Sequence, residues 1–238
     1  MYTKLADQTN YLKADRNKSA IKFLVVHYTA GNGDTARGNL SYFSRPLPAG
    51  KKASAHYFID ENEVCCSVPW SDVAYHCGGG KATYRTEEPR FYGECKNANS
   101  IGIEICSRKD KNGKYYFKPE TLQNAIKFIA SLMTEYNIPI DRVIRHYDVT
   151  CKVCPAPFVN DVEAWEKFKL DILKQQRGDV EELTYYEKID EVPAGEMREV
   201  VRYLVGIGVI KGNGNGLHLS HDMVRMLVFM HRRFTTVN

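Results

Sequence analysis

The sequence lacks any run of about 20 consecutive apolar residues, which is the length that a membrane-spanning helix needs. Its first residues, Met1–Lys4, also lack the apolar stretch of a secretory signal peptide. A strong charge of one sign is missing too, because 33 lysines and arginines stand against 29 aspartates and glutamates. We therefore expect a soluble protein made in the cytoplasm, with no membrane insertion and no nucleic-acid partner.

A complete set of disulfides is excluded, because the sequence contains seven cysteines and an odd number cannot all pair within one chain. A chain of this size made inside the cell does not need disulfides for its stability. We expect the cysteines to be mostly reduced, with at least one available to bind a metal ion. They are Cys65, Cys66, Cys77, Cys95, Cys106, Cys151 and Cys154.

The length of 238 residues allows one good hydrophobic core and a small second one. Residues 174–184 are polar, lack apolar periodicity and contain a glycine, so they predict a domain boundary. We place one domain at residues 1–176 and a small one at residues 177–238. The small domain carries two helical stripes, at residues 197–205 and 223–228. It would be marginally stable alone, so we expect it to dock on a partner or to self-associate.

Strands and helices alternate along the first domain, which predicts an α/β fold. Short β-branched runs predict strands, and the longest helix has apolar residues at spacings of three and four. The turn residues Glu61 and Asn62 predict a hairpin. The expected strands are residues 21–27, 55–60, 63–68, 100–106 and 143–144, and the expected helices are residues 34–43, 120–136 and 162–173.

Three side chains of types that commonly bind zinc stand at the ends of predicted elements. His27 ends the first buried strand, and His146 and Cys154 lie in the loop that follows residue 144. Catalytic zinc commonly takes three protein ligands and leaves a fourth position for water. The alternative is a buried thiol and two hydrogen-bonded core histidines, because only a fold could unite residues so far apart in sequence.

A carboxylate, Glu104, stands within the otherwise apolar strand at residues 100–106. Side chains alternate along a strand, so Glu104 should share a face with Gly102 and Cys106. An unpaired carboxylate is costly to bury, and its presence in this strand therefore favours a functional role. A structural ion pair is the alternative.

Five segments occur in a recognisable order between about residues 20 and 170. They are Val26–Ala30, Ser54–Phe58, Ala74–Gly78, Asn99–Glu104, and His146–Asp148 with Lys152–Pro155. Together they resemble the type 2 N-acetylmuramoyl-L-alanine amidases, which include phage lysins, bacterial autolysins and the related peptidoglycan recognition proteins. The resemblance implies an α/β fold with a central mixed β-sheet flanked by helices, to which the C-terminal residues would add a small helical domain.

The resemblance also implies a reaction and a set of residues that carry it out. His27, His146 and Cys154 would hold one zinc ion. Glu104 would serve as general base or general acid, and Lys152 would stabilise the oxyanion of the tetrahedral intermediate. The implied reaction is hydrolysis of the amide bond between N-acetylmuramic acid and L-alanine in bacterial peptidoglycan, with zinc activating the attacking water.

Two further histidines and a second cysteine complete the candidate residues. The resemblance implies that His56 and His76 bind the substrate, and a turn histidine with a backbone hydrogen bond is the alternative for His76. Cys151 and Cys154 form a Cys-x-x-Cys pair, which raises a redox or structural-zinc alternative. Neither a second pair at similar spacing nor a strand-to-helix context accompanies it, which argues against both.

The implied partner is bacterial peptidoglycan, and the net charge of +4 mildly favours an anionic polymer. Without a signal peptide, the protein would reach the wall after release, as a phage lysin does during host lysis; a bacterial autolysin is the alternative. A non-catalytic peptidoglycan-binding module is a second alternative, against which the presence of Cys154 and Glu104 argues. The small C-terminal domain would bind the wall or form a homo-oligomer.

Overall fold

The computed structural model of the chain describes residues 1–77, 88–177, 185–212, 214, 216–220, 223–228 and 231. The chain divides into two compact units, Met1–Asp179 and Val180–Asn238. Within the described residues, no helix is both long and apolar enough to span a lipid bilayer. The roles that the sequence suggests for the two domains stay predictions.

A mixed six-stranded sheet lies at the centre of the first unit. The strands of the chain are β1 (Tyr2–Thr3), β2 (Tyr11–Leu12), β3 (Phe23–Tyr28), β4 (Tyr57–Ile59), β5 (Val64–Cys66), β6 (Val73–Ala74), β7 (Ser100–Ile105), β8 (Arg108–Lys109), β9 (Tyr115–Tyr116), β10 (Val143–Arg145), β11 (Tyr185–Tyr186) and β12 (Leu219–Ser220). The order of the strands in the central sheet is β1-β5-β4-β7-β3-β10. The β4–β5 pair is the antiparallel hairpin that residues 61–62 predict, and the other neighbours run parallel. The predicted fold class is confirmed.

Helices cover the sheet, and the longest one confirms the predicted amphipathic helix at residues 120–136. It begins at Pro119, whose fixed φ suits a first turn, and Asn137 ends it in the left-handed region with φ 51°. The first helix is capped by Thr35, whose side chain accepts the N–H of Gly38. The helices are α1 (Ala36–Phe43), α2 (Pro119–Tyr136), α3 (Tyr147–Thr150), α4 (Ala156–Val159), α5 (Val162–Arg177) and α6 (Glu196–Gly206).

Strand β3 is buried on both faces, as its continuous apolar run predicts. On one face, Leu24 and Val26 pack into the main core with side chains of α2 and α5. On the other face, Phe23 and Val25 belong to a separate apolar cluster. Because side chains alternate along a strand, His27 falls on this second face, away from the main helical layer.

The strand register brings the candidate site together at one edge of the sheet. His27 of β3 is the direct neighbour of Glu104 in β7. On the opposite side of β3, Arg145 of β10 pairs with Val26, so the next residue, His146, emerges beside His27. Since these three strands are parallel, their carboxyl ends meet at the same edge. This edge carries the chemistry-bearing side chains.

Two expectations for the end of the chain differ from the structure. Helix α5 continues through residues 174–177, where we expected a break, because lysine, glutamine and arginine are good helix formers and cations suit a helix C-terminus. The second unit also contains more than helices. Strands β11 and β12 pair antiparallel beside α6, and residues 223–228 are helical. Its described core includes Tyr186, Val201 and Val224.

Candidate metal centre

Three side chains from distant parts of the sequence meet at the edge of the sheet. One ligand atom from each of His27, His146 and Cys154 lies within 4.8 Å of the other two. Sγ of Cys154 is 3.6 Å from Nδ1 of His27, and the two imidazole rings lie 4.7 Å apart between centroids. All three residues are at most 5% exposed. The group therefore has the size and the donors to surround one metal ion.

The backbone conformation after His146 places Cys154 beside the two histidines. After His146 the chain makes the single helical turn α3, and Cys151 ends that turn in the left-handed region with φ 59°. The N–H of Tyr147 then donates to the carbonyl oxygen of Cys154 at 2.9 Å. The backbone N–H of Tyr28, at the end of β3, also donates to the Cys154 thiol. These contacts fix the sulfur beside the strand that carries His27.

Burial keeps both imidazoles neutral, which is the form that binds a metal. It lowers the pKa of His27 well below 6.5, with further lowering from His146 and His76. Burial, assisted by the charge of Lys152, lowers the pKa of His146 to about 3. Both ring nitrogens of His146 are buried without a hydrogen-bond partner among the described residues. Such a ring is costly to bury unless a ligand engages it.

A chain of hydrogen bonds decides which nitrogen of His27 is available. The hydroxyl of Ser100 donates to the carbonyl of Lys96 at 2.6 Å, so its oxygen accepts Nε2–H of His76 at 3.1 Å. Nδ1 of His76 is then unprotonated and accepts Nε2–H of His27 at 3.1 Å. This leaves the lone pair on Nδ1 of His27, which faces Cys154. Partners of this kind orient metal-binding histidines.

The sulfur of Cys154 is a thiol in the absence of a cation. Burial raises its pKa to about 12, and the nearby Glu104 raises it further, whereas the Tyr28 N–H and Lys152 lower it. A bound divalent ion would favour the thiolate strongly. One sulfur and two nitrogens make a donor set that suits zinc. The residues therefore fit the metal that the resemblance implies.

Glu104 lies next to this group and has no ion-pair partner among the described residues. Its Oε2 is buried without a hydrogen bond. Burial raises the pKa of the carboxyl to about 8, while Lys152 lowers it and Asp34 raises it. The structural ion pair, which was the alternative interpretation for Glu104, is therefore not seen among the described residues. A carboxyl with a pKa near neutrality can both accept and donate a proton.

The two histidines expected to bind substrate occupy different positions. His76 lies at the wall of a cavity beside His146 and Lys152, and it also orients His27. His56 is fully buried. Its Nδ1 accepts the N–H of Gly102 at 2.9 Å, so the neutral ring carries its proton on Nε2. The strands and loops around His56 leave its side chain without solvent-accessible surface in this structure.

Comparison with known proteins shows the family to which this chain belongs. The sequence profile of the family described as N-acetylmuramoyl-L-alanine amidase matches residues 17–157. The chain belongs to this family. The resemblance identified from the five segments is thereby confirmed, and the match includes every candidate site residue.

Individual relatives in the amidase family are moderately similar. N-acetylmuramoyl-L-alanine amidase CwlL of Bacillus licheniformis is 35% identical over 161 residues, covering 67% of this chain and 42% of the relative. BlyA of Bacillus subtilis strain 168 is 34% identical over 173 residues, covering 71% and 45%. This chain therefore spans less than half the length of these curated relatives.

Solved structures show the same fold. The catalytic domain of XlyA matches with a TM-score of 0.54 and 25% identity, covering 72% of this chain and 97% of that one. A mutant endolysin from Bacillus subtilis matches with a TM-score of 0.54 and 27% identity, covering the same shares. The part of our chain that is matched in these structures corresponds to nearly the whole of each solved domain.

Arg16, which no sequence pattern indicates, supports the backbone around the site of this amidase-family chain. Its guanidinium is buried and donates to the carbonyl oxygens of Trp70, Asn97 and Ser100 at 3.0–3.1 Å. Nη2 of Arg16 also lies 2.9 Å from Nε2 of His56, and because both nitrogens carry protons this contact is not a hydrogen bond. Arg16 stands in a polar stretch near the N-terminus, where no pattern distinguishes it from a solvated surface cation. Only the folded chain shows its role.

Proposed function

We propose that the chain hydrolyses the amide bond between the lactyl group of N-acetylmuramic acid and L-alanine of peptidoglycan, and that its cofactor is one zinc ion. The buried group of His27, His146 and Cys154 carries the proposal. Two neutral imidazoles and a sulfur converge there, and His146 has unsatisfied nitrogens. Family membership supports the same reaction.

The residues around the group have complementary tasks in such a hydrolysis. When bound, zinc lowers the pKa of water and polarises a carbonyl. Glu104 takes the proton from the attacking water and delivers it to the departing amine. The ammonium of Lys152, which lies in the same cavity wall as His146, stabilises the oxyanion. A fixed donor of this kind contributes roughly 3 kcal/mol to transition-state stabilisation.

The two remaining histidines are assigned as positioning residues in this proposal. His76 holds the His27 ring in the tautomer that leaves Nδ1 available. It also lines the cavity, so contact with substrate is part of its proposed role. His56 supports the strand beneath through the Gly102 backbone and contacts the His76 ring at 5.5 Å between centroids.

Metal analysis and a peptidoglycan digest test the proposal together. The purified chain should contain one equivalent of zinc by mass spectrometry and should release new L-alanine amino termini from purified walls. A chelator should abolish the release, and added zinc should restore it. Cys154→Ala should lose both metal and activity. A Cys154→Ala protein that still cut walls would contradict the ligand assignment.

A second pair of variants separates catalysis from binding. Glu104→Gln should keep its zinc and lose activity by roughly 10²–10⁴-fold, since it removes the proton carrier. Glu166→Gln is the matched control, because this carboxylate lies on the exposed side of α5. If the unmodified chain retained zinc and bound walls without releasing any amino termini, the non-catalytic binding module would be the better assignment.

We also propose that the second unit binds wall polymer or pairs with another chain, and that the protein acts as an endolysin after release from the cell. The exposed Ile207, Val209 and Met226 of that unit support a contact surface. Sedimentation velocity of the full chain over a range of concentrations tests pairing, and co-sedimentation with walls tests binding. A monomer that does not bind walls would contradict this part of the proposal.

A further inference from the structure

Two buried cysteines, Cys77 and Cys95, lie in contact next to the residue that orients His27. Their side chains hydrogen-bond to each other, and the two residues are only 6% and 3% exposed. Both belong to the separate apolar cluster that contains Phe23 and Val25 of β3. All seven cysteines of the chain lie within the described residues, and each of them is free in this structure. Packing therefore holds these two thiols together while they are reduced.

Two polar side chains fix the position of the Cys77 sulfur beside Cys95. Oγ of Ser100 lies 3.7 Å from Sγ of Cys77, and the same hydroxyl hydrogen-bonds to the Cys95 side chain. The Cys77 thiol also donates to Oδ1 of Asn97 at 3.3 Å, and this oxygen accepts the backbone N–H of Cys77 at 2.8 Å. The two sulfur atoms are therefore neighbours within one small set of contacts, and joining them requires only a short movement of their side chains.

The contact gives the two cysteines different roles in a reaction with a peroxide. The hydrogen bond from Cys95 lowers the pKa of the Cys77 thiol, and the same bond raises the pKa of Cys95. Because the thiolate is the nucleophile, Cys77 reacts first. It attacks one peroxide oxygen, the O–O bond breaks, and Cys77 becomes a sulfenic acid as one water is released. The Cys95 sulfur then attacks the Cys77 sulfur, and its proton leaves with the displaced hydroxyl group as a second water. Two thiols are thus oxidised to one disulfide while one peroxide is reduced to two waters.

We propose that Cys77 and Cys95 form a reversible disulfide when the protein meets a peroxide, and that this bond stabilises the first unit. The proposal is independent of the proposed function, because neither cysteine belongs to the candidate metal group. The bond closes a loop of 19 residues, counted from Cys77 to Cys95. Closing a loop of this length removes conformational freedom from the unfolded chain. The disulfide persists in an oxidising environment outside a cell and is reduced by cytosolic thiols.

Peptide mapping of the full chain tests whether the disulfide forms. The protein is loaded with zinc and treated with hydrogen peroxide, and its remaining thiols are alkylated before digestion with trypsin. The digest places Cys77 in the peptide of residues 53–81 and Cys95 in the peptide of residues 91–96. We expect these two peptides to be joined and to separate on reduction. Fragmentation of the joined pair assigns the bond, because residues 53–81 contain two further cysteines.

The melting temperature of the first unit, followed by tryptophan fluorescence, tests the stabilising effect. Oxidation should raise it by roughly 5–10 °C, and a reductant should reverse the rise. Cys95→Ala should show neither the joined peptides nor the rise in melting temperature. Cys66→Ala is the matched control, because it removes a buried thiol of β5 that packs in the main core, and it should show both.

Three results would overturn the proposal. The first is alkylation of Cys77 and Cys95 after the peroxide treatment, and the second is a bond from either of them to a different cysteine. The third is a joined pair that leaves the melting temperature unchanged, which would refute the stabilising effect. Mapping and melting of the unmodified chain decide all three, so the test does not depend on whether any variant folds.

Discussion

Replacing Gly102 by alanine is expected to destabilise the folded chain, because the added methyl group would clash with His76 at the candidate site. Gly102 lies in the middle of β7, directly under the ring of His76. A Cβ atom at this position would lie 2.4 Å from Cγ of His76 and 2.7 Å from its Nδ1. The ring cannot retreat freely, because it is hydrogen-bonded to Ser100 on one side and to His27 on the other.

The expected loss follows from these contacts. Forcing extra volume into a packed interior costs about 1–3 kcal/mol, and each of the two hydrogen bonds of His76 contributes about 1 kcal/mol more. Without strain, a Gly102→Ala substitution would instead stabilise the fold by roughly 0.5 kcal/mol, because alanine lowers the conformational entropy of the unfolded chain. We expect a net loss of about 3 kcal/mol. Zinc affinity should fall as well, by about 10–100-fold, because His27 loses its orienting partner.

A double-mutant cycle in urea isolates the clash. In a His76→Ala background the obstructing ring is absent, so Gly102→Ala should cost less than about 1 kcal/mol, giving a coupling of about 2 kcal/mol. Tryptophan fluorescence reports the first unit alone, since both tryptophans, Trp70 and Trp165, lie in it. If Gly102→Ala were equally costly in both backgrounds, the contact with His76 would not be the cause and the reasoning would fail.

Three further predictions concern stability. Glu61, hydrogen-bonded to Lys118, has its pKa lowered from 4.5 to about 2, so its stabilisation is complete above about pH 4.5 and is lost as the pH falls towards 2. Glu61→Gln should therefore lower the free energy of unfolding by about 1 kcal/mol at pH 7 and leave it unchanged near pH 2, as measured by urea denaturation at a series of pH values. A difference between the two proteins that does not depend on pH would contradict this. Arg16→Met should cost about 3 kcal/mol in urea, because it leaves buried carbonyl oxygens without a donor, and a loss below 1 kcal/mol would show that water replaces the guanidinium. Thr35→Ala should lower the free energy of unfolding by about 1 kcal/mol in thermal melts, because the N–H of Gly38 loses its side-chain acceptor. Thr35→Ser should retain most of that stability, since serine keeps the hydroxyl. Equal melting temperatures for the two variants would show that the cap does not contribute.

Much of the fold could be predicted because its elements are specified locally. The apolar run before His27 and the three-and-four spacing of α2 each bury their own side chains, whatever their neighbours are. Boundaries were less certain. The polar end of α5 resembles a linker in composition, yet its residues are good helix formers, and the sequence pattern alone did not distinguish the two.

The site itself was only partly accessible from sequence. Glu104 could be recognised because a lone carboxylate in an apolar strand is unusual. The buried position of His56 could not be predicted, since nothing in Ser54–Phe58 indicates that Arg16, 40 residues earlier, lies against that ring. Nor does any pattern show that the Asn97 amide is held by backbone N–H groups, because the two groups that donate to it belong to residues 20 positions away or more.

By itself the sequence determined which chemical groups are available: two histidines, a thiol, a carboxylate and a lysine, in an order that resembles one family. It also determined the local elements, since helix and strand periodicity act over a few residues. Tertiary structure decided that His27, His146 and Cys154 share one point in space, which tautomer His27 adopts, and which histidine is open to the cavity. Those properties depend on strand register and on burial, and both arise only when residues that are distant in sequence, such as His27 and His146, pack against each other.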